Sequence, residues 1–228
     1  MQGWAPKARL PSSADAERCA EIGRIALHIG EVDFEDVRIS REEWLRAKES
    51  GQLDDGTALP YRQIPCLCID GKSIAQTGGI SRICGKLSGL YPADDLVQSA
   101  HVDQVIDMCT DITVLLGPSN AEKDEDKKRQ LRSSLVNGAL RNKISYLEEQ
   151  LERDGTEWFV GKSMTIADIA AWRLFSWLTS GVIDHIPADL LAPFPTLCRV
   201  CKKVGEHPKV LEWVDRTYPK DYPSGNFY

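Results

Sequence analysis

Chemistry concentrates in one stretch, Tyr61 to Arg82, YRQIPCLCIDGKSIAQTGGISR. Gln63-Ile64-Pro65 sets a proline just ahead of an extended run, Cys66 to Ile69. Proline cannot donate to a strand ladder, so it belongs at a strand start or edge. A cis bond there would turn the backbone of Ile64 outward, free to pair with an extended ligand. Asp70-Gly71 reads as a tight hairpin turn, and Ser73 to Ala75 as the returning strand. Gln76-Thr77-Gly78-Gly79 then opens a helix with Ile80, Ile83, Cys84 and Leu87 on one face. A helix N-terminus presents free N–H groups and partial positive charge, which suits a carboxylate. A strand edge beside a helix N-terminus can hold a small peptide-like acid.

In its ordered set Gln63, Ile64, Pro65, Gln76 and Thr77, the stretch resembles the glutathione-binding motif of the cytosolic glutathione transferases. The sigma-like and mu, alpha and pi-type members are nearest. The likeness extends to FEDVRI and REEW, where Trp44 and Lys48 match two positions of the family, and to the segment 159–172. It implies an α/β plus all-α fold. A thioredoxin-like βαβαββα domain over 1–90 and a linker over 91–95 precede an all-helical domain over 96–228.

The resemblance implies a role for each matching residue. Gln76 and Thr77, with the helix N-terminus, hold the γ-glutamyl carboxylate of glutathione; Gln63, Ile64 and Pro65 carry the strand edge that pairs with its cysteinyl part. Trp44 and Lys48 reach the glycyl carboxylate. Asp103, in Ala100-His101-Val102-Asp103, matches an acid that reaches across a dimer to the γ-glutamyl amine. Tyr61 matches an aromatic key inserted into a neighbouring subunit, so a homodimer is expected. Taken singly, Trp44 also reads as a core aromatic, Lys48 as a solvated cation and Asp103 as an exposed first-turn acid.

Catalysis needs the thiolate, and a hydroxyl donated to sulfur lowers the thiol pKa. The nearest relatives use a tyrosine at the end of the first strand, but no tyrosine precedes Tyr61. Matching Ala20-Glu21 and Arg24 without gaps places Ser13 there, with Ser12 one residue away. Other classes of the family, theta- and zeta-like, use a serine in this region. Ser13 equally reads as a cap for the following helix. Glu17 stands where relatives often carry an arginine, with Arg18 beside it, and Cys19 lies six residues beyond the expected nucleophile position.

The chain has 228 residues, 42% hydrophobic and 27% charged, enough for a sizeable core in one or two domains. Its net charge is −6, with an acidic excess both before residue 96 (12 basic, 15 acidic) and after it (16 and 19). Nucleic acid is therefore not an expected partner. No apolar run is long enough to span a membrane, and the first residues hold no apolar leader core. A cytoplasmic setting follows as the expectation. Seven cysteines are too sparse for a disulfide scaffold. Cys66-x-Cys68 and Cys198-x-x-Cys201 could be read as zinc ligands. Small buried residues are the better reading, so no metal is expected.

The flanking elements follow from pattern. A first strand is expected near Lys7 to Leu10, bracketed by Pro6 and Pro11, and a helix from Glu17 to Gly30 on Ile22, Ile25, Ala26 and Ile29. Alternation over Val32 to Ile39 predicts a half-buried strand. Beyond Ala100 only helices are found. Val102, Val105, Ile106, Cys109, Ile112 and Leu116 stripe one; Leu140, Ile144, Leu147 and Leu151 stripe another. The run Glu122 to Arg129 reads as a solvated surface, and Thr165 with Asp168 as a capping box. The function expected is conjugation of glutathione to a hydrophobic electrophile, with the thiolate held by a serine. The alternatives are a binding or assembly protein of the same fold without activity, and a glutathione-dependent isomerase.

Overall fold

The computed structural model describes residues 7–12 and 17–218. Ser13 and the tail beyond residue 218 lie outside the described residues, as do the side chains of Glu17 and Arg18. The chain divides into two compact units between Tyr91 and Pro92.

The first unit is built on a four-stranded mixed sheet. Its strands are β1 (Ala8–Ser12), β2 (Phe34–Arg38), β3 (Cys66–Ile69) and β4 (Lys72–Ala75), in the order β2-β1-β3-β4. β1 runs parallel to β2 over its full length and antiparallel to β3 at Ala8 and Arg9. The strand extends past the second of the bracketing prolines. Pro11 pairs with Val37 on one side, and on the other the pairing with β3 is confined to Ala8 and Arg9, so its missing N–H breaks no bond to β3. The β3–β4 turn takes left-handed backbone at both central residues, Asp70 (φ 48°) and Gly71 (φ 79°), which is what an Asp-Gly hairpin turn requires.

Helices α1 (Glu17–Ile29) and α3 (Thr77–Leu87) pack together beside the sheet. Gly23 permits the approach: a Cβ there would lie 3.1 Å from Cys84 Sγ and 3.2 Å from Leu10 Cδ1. α2 (Arg41–Ser50) is capped by Ser40, whose hydroxyl accepts from Glu43 N (3.1 Å), and stopped by Gly51 at φ 83°. It closes a separate apolar cluster of Ile39, Ala47, Leu53, Leu59 and Cys66, on which Val37, Trp44 and Ile64 pack.

The second unit is helical throughout its described elements: α4 (Leu96–Leu115), α5 (Gly117–Ala121), α6 (Glu125–Asn137), α7 (Ala139–Asp154), α8 (Ile166–Thr179), α9 (Pro195–Gly205) and α10 (Pro208–Thr217). Asp95 caps α4 by accepting from Val97 N and Gln98 N, both at 3.0 Å. The stripes expected on α4 and α7 are buried. α8 is buried almost all round, with Trp172 and Phe175 at its centre. Its capping box is present: Asp168 accepts from Thr165 N (2.7 Å) and Phe159 N (2.8 Å), and Thr165 Oγ1 accepts from Ala167 N. Burial raises the Asp168 carboxyl to about 6 although these donors favour its charged form. Glu148, buried on α7, accepts from Thr196 N (2.8 Å) and Leu197 N (2.7 Å), filling the N-terminus of α9. No described helix is long and apolar enough to cross a membrane.

Candidate functional site

The segment leading into β3 and the start of α3 meet through two glutamines. The Ile64–Pro65 peptide bond is cis, and Pro65 leads directly into β3. Ile64 is half-buried, and among the described residues neither of its main-chain polar groups bonds to another main-chain group outside the strand ladders. Gln76 Nε2 donates to Gln63 Oε1 at 3.1 Å, and both side chains are exposed. Gln76 has φ 72° and ψ 125°, in a region a side-chain-bearing residue occupies only when its surroundings hold it there. Its carbonyl accepts from Ile80 N (2.9 Å), whereas its side chain makes no capping bond. No acidic residue stands in the first turn of α3. Thr77, half-buried, thus starts a helix whose leading N–H groups have no side-chain cap, an anion-ready terminus.

Trp44 and Lys48 lie one turn apart on α2 and so share a face. Trp44 is half-buried on the cluster that also takes Ile64, so the indole and the residue before the cis bond rest on common ground. Lys48 is exposed and forms no ion pair among the described residues. Trp44 packs as a core aromatic does and still keeps an accessible part. Arg62 ties the segment before Gln63 to α2, its Nη1 donating to Glu49 O at 2.7 Å. Tyr61 and Arg62 both have positive φ (60° and 51°), and Tyr61 is 75% exposed. Asp103 is half-buried on α4, in the second unit.

The two serines part company. Ser12, at the end of β1, is fully buried, and its hydroxyl accepts from Arg24 Nη2 at 2.7 Å. Its carbonyl accepts from Ile39 N at 2.9 Å. Ser13 lies outside the described residues, so its hydroxyl is not placed.

Arg24 is the centre of a network that the apolar stripe of α1 concealed. The guanidinium has no exposed surface; it reaches Asp36 Oδ1 at 2.6 Å and the buried Glu21 Oε2 at 3.3 Å. Arg38 in turn holds Asp36 at 3.0 Å. The sequence signal was Glu21 and Arg24 three residues apart within an apolar run, opposite a strand carrying Asp36. On the outer part of the same sheet Arg9 joins Glu35 and Asp55, both at 2.6 Å, and these acids hold its guanidinium more firmly protonated than usual.

The cysteines are all free thiols. Burial pushes Cys66, Cys84 and Cys109 each up to about 12, far from a nucleophile's range. Cys198 Sγ donates to Leu191 O at 3.3 Å.

A thioredoxin-like unit with a cis-proline before its third strand is followed by a unit that is helical throughout its described elements. The family model for the glutathione S-transferase C-terminal domain matches residues 110–217. The hematopoietic prostaglandin D synthase of Homo sapiens is 30% identical over 198 residues, covering 86% of this chain and 90% of that protein. Glutathione S-transferase 1 of Ascaris suum is 29% identical over 204 residues, covering 88% and 92%. The solved glutathione S-transferase of Ascaris lumbricoides superposes with a TM-score of 0.75 at 26% identity, over 95% of this chain and 100% of that one. The chain belongs to the glutathione S-transferase family of enzymes.

Proposed function

We propose that this protein binds glutathione on its first unit and holds it as thiolate, through the hydroxyl of Ser13, for addition to a small hydrophobic electrophile. The observation that carries the reading is the Gln63–Gln76 side-chain bond, which brings the cis-proline edge of β3 to the uncapped start of α3. In this reading α3, Gln76 and Thr77 take the γ-glutamyl carboxylate. The free main chain of Ile64 pairs with the cysteinyl part. Lys48, unpaired and exposed, meets the glycyl carboxylate beside Trp44. Asp103 takes the γ-glutamyl amine from a partner subunit, and Tyr61 docks into that subunit, so the working form is a homodimer in the cytoplasm. Ser13 is preferred to Ser12 because the Ser12 hydroxyl is buried and engaged by Arg24.

A free thiol near 8.5 must fall by about two units to be mostly thiolate at neutral pH, roughly 2.7 kcal/mol of differential stabilisation. Titrating thiolate absorbance of bound glutathione against pH tests this directly. The intact protein should show a pKa well below the free value, and Ser13→Ala should return it. Binding with an unshifted thiol would make the chain a binding module of this fold. The likeness to prostaglandin D synthase favours a second reading, a glutathione-dependent isomerisation that returns glutathione unchanged. Mass accounting of glutathione during turnover separates conjugation from isomerisation.

A further inference from the structure

A cavity of about 200 Å³ opens on the second unit where α6 ends, α7 begins and the irregular segment 180–194 crosses them. Val136, Pro187 and Leu190 give it apolar walls, and Phe194 forms one end. Arg141 stands over the Phe194 ring, its guanidinium carbon 5.7 Å from the ring centroid. The other cations of α7 are paired, Lys143 with Asp111 at 2.8 Å and Arg153 with Asp154 at 3.2 Å. Arg141 has the ring and, among the described residues, no carboxylate. Asp189 also lines the cavity and lies beyond ion-pair reach of Arg141. A planar guanidinium laid on an aromatic face leaves its N–H edge free for a bidentate acceptor.

We propose that this cavity binds a small monocarboxylate with a flat apolar body. Its carboxylate bridges to the Arg141 N–H edge, and its body lies between Phe194 and the wall of Pro187 and Leu190. The volume is that of about seven water molecules, enough for a single ring with a short acid arm. The negative charge of Asp189 repels a second carboxylate, so diacids are disfavoured. None of the lining residues is assigned a part in glutathione binding, so the site stands or falls independently of that reading.

Phenylacetate is the probe, followed on the full-length protein by saturation-transfer NMR and calorimetry with glutathione at saturation. Binding should persist under glutathione. It should weaken roughly tenfold in Arg141→Gln, the share of one charge-assisted bidentate contact. Phenylmalonate should bind more weakly than phenylacetate, and Asp189→Asn should narrow that gap. Arg141 is exposed, so its replacement leaves the core intact. Displacement of phenylacetate by glutathione, equal affinity in Arg141→Gln, a preference for phenylethylamine, or no binding at millimolar concentration would each overturn the proposal. A failure here leaves the glutathione affinity unchanged, which tells it apart from a failure of the proposed function.

Discussion

Removing the guanidinium at the centre of the first unit should be among the most damaging single changes to stability. In Arg24→Met the side-chain volume is nearly kept, so the loss is electrostatic. Glu21, 1% exposed, would lose the guanidinium it meets at 3.3 Å; Asp36 would retain Arg38 at 3.0 Å. Ser12 would lose the donor to its buried hydroxyl. Breaking a buried pair from one side costs about 3–5 kcal/mol, because the remaining charge stays desolvated. For a chain of this size each kcal/mol lowers Tm by roughly 2–4 °C, so a fall of about 6–20 °C is expected. Adding Glu21→Gln removes the buried acid that Arg24 meets and should recover part of the loss. Both variants are to be measured by urea unfolding and by thermal melting at neutral pH. A loss below about 1 kcal/mol in Arg24→Met, the scale of a surface ion pair, would refute the reasoning by showing that water reaches the network. A double variant no better than the single would place the cost in packing instead.

On the proposed placement of Lys48 at the glycyl carboxylate, Lys48→Ala should raise the KM for glutathione about fivefold with kcat nearly unchanged, since such a contact would contribute uniform binding; initial rates over a glutathione series decide it. The Asp168 carboxyl, raised to about 6 by burial, contributes stability that is present in acid and lost as pH climbs through 6. Wild type should therefore lose up to about 3 kcal/mol relative to Asp168→Asn between pH 4 and pH 7, read as the difference of two urea-midpoint profiles. Gly30→Ala would drive a methyl into Ser88 Cα, a main-chain atom that cannot step aside, and should cost about 1–3 kcal/mol or more. Gly117→Ala, with nothing within 4 Å, is its near-neutral control in the same melting assay. Cys66, Cys84 and Cys109 should stay unalkylated by iodoacetamide at pH 8 until denaturant is added, as counted by intact mass.

The sequence was readable wherever one local rule governed a segment. Asp70-Gly71 needs only turn chemistry, Thr165 and Asp168 only the spacing of a capping box, and the stripes of α4 and α7 only helical period. Pro11 defeated the same approach: its place in a strand depends on where the pairing of β1 with β3 stops, which is decided by residues more than 50 positions away. Glu21, Arg24 and Glu148 escaped for a related reason. A charged residue reads as exposed unless its partner is known, and Arg24 finds partners on β1 and β2, and Glu148 on α9. The hairpin and helix start between Gln63 and Thr77 were readable because they fall within one short stretch of chain. The group that would hold a thiolate was not, because Ser12 and Ser13 are adjacent and no second residue in the sequence fixes the register between them.

The placement of β1 between β2 and β3 has a consequence for how the chain can be assembled. β1 and β2 lie some 25 residues apart and can pair early, but that pair offers one long open edge. The strand that covers it arrives only at Cys66, a loop of about 60 residues whose closure entropy must be met before the apolar contacts around Leu10 repay it. A nascent or proteolysed chain ending anywhere between Arg38 and Cys66 therefore holds an unprotected β-template rather than a small folded domain, and is the form in which this protein would seek strands from other chains.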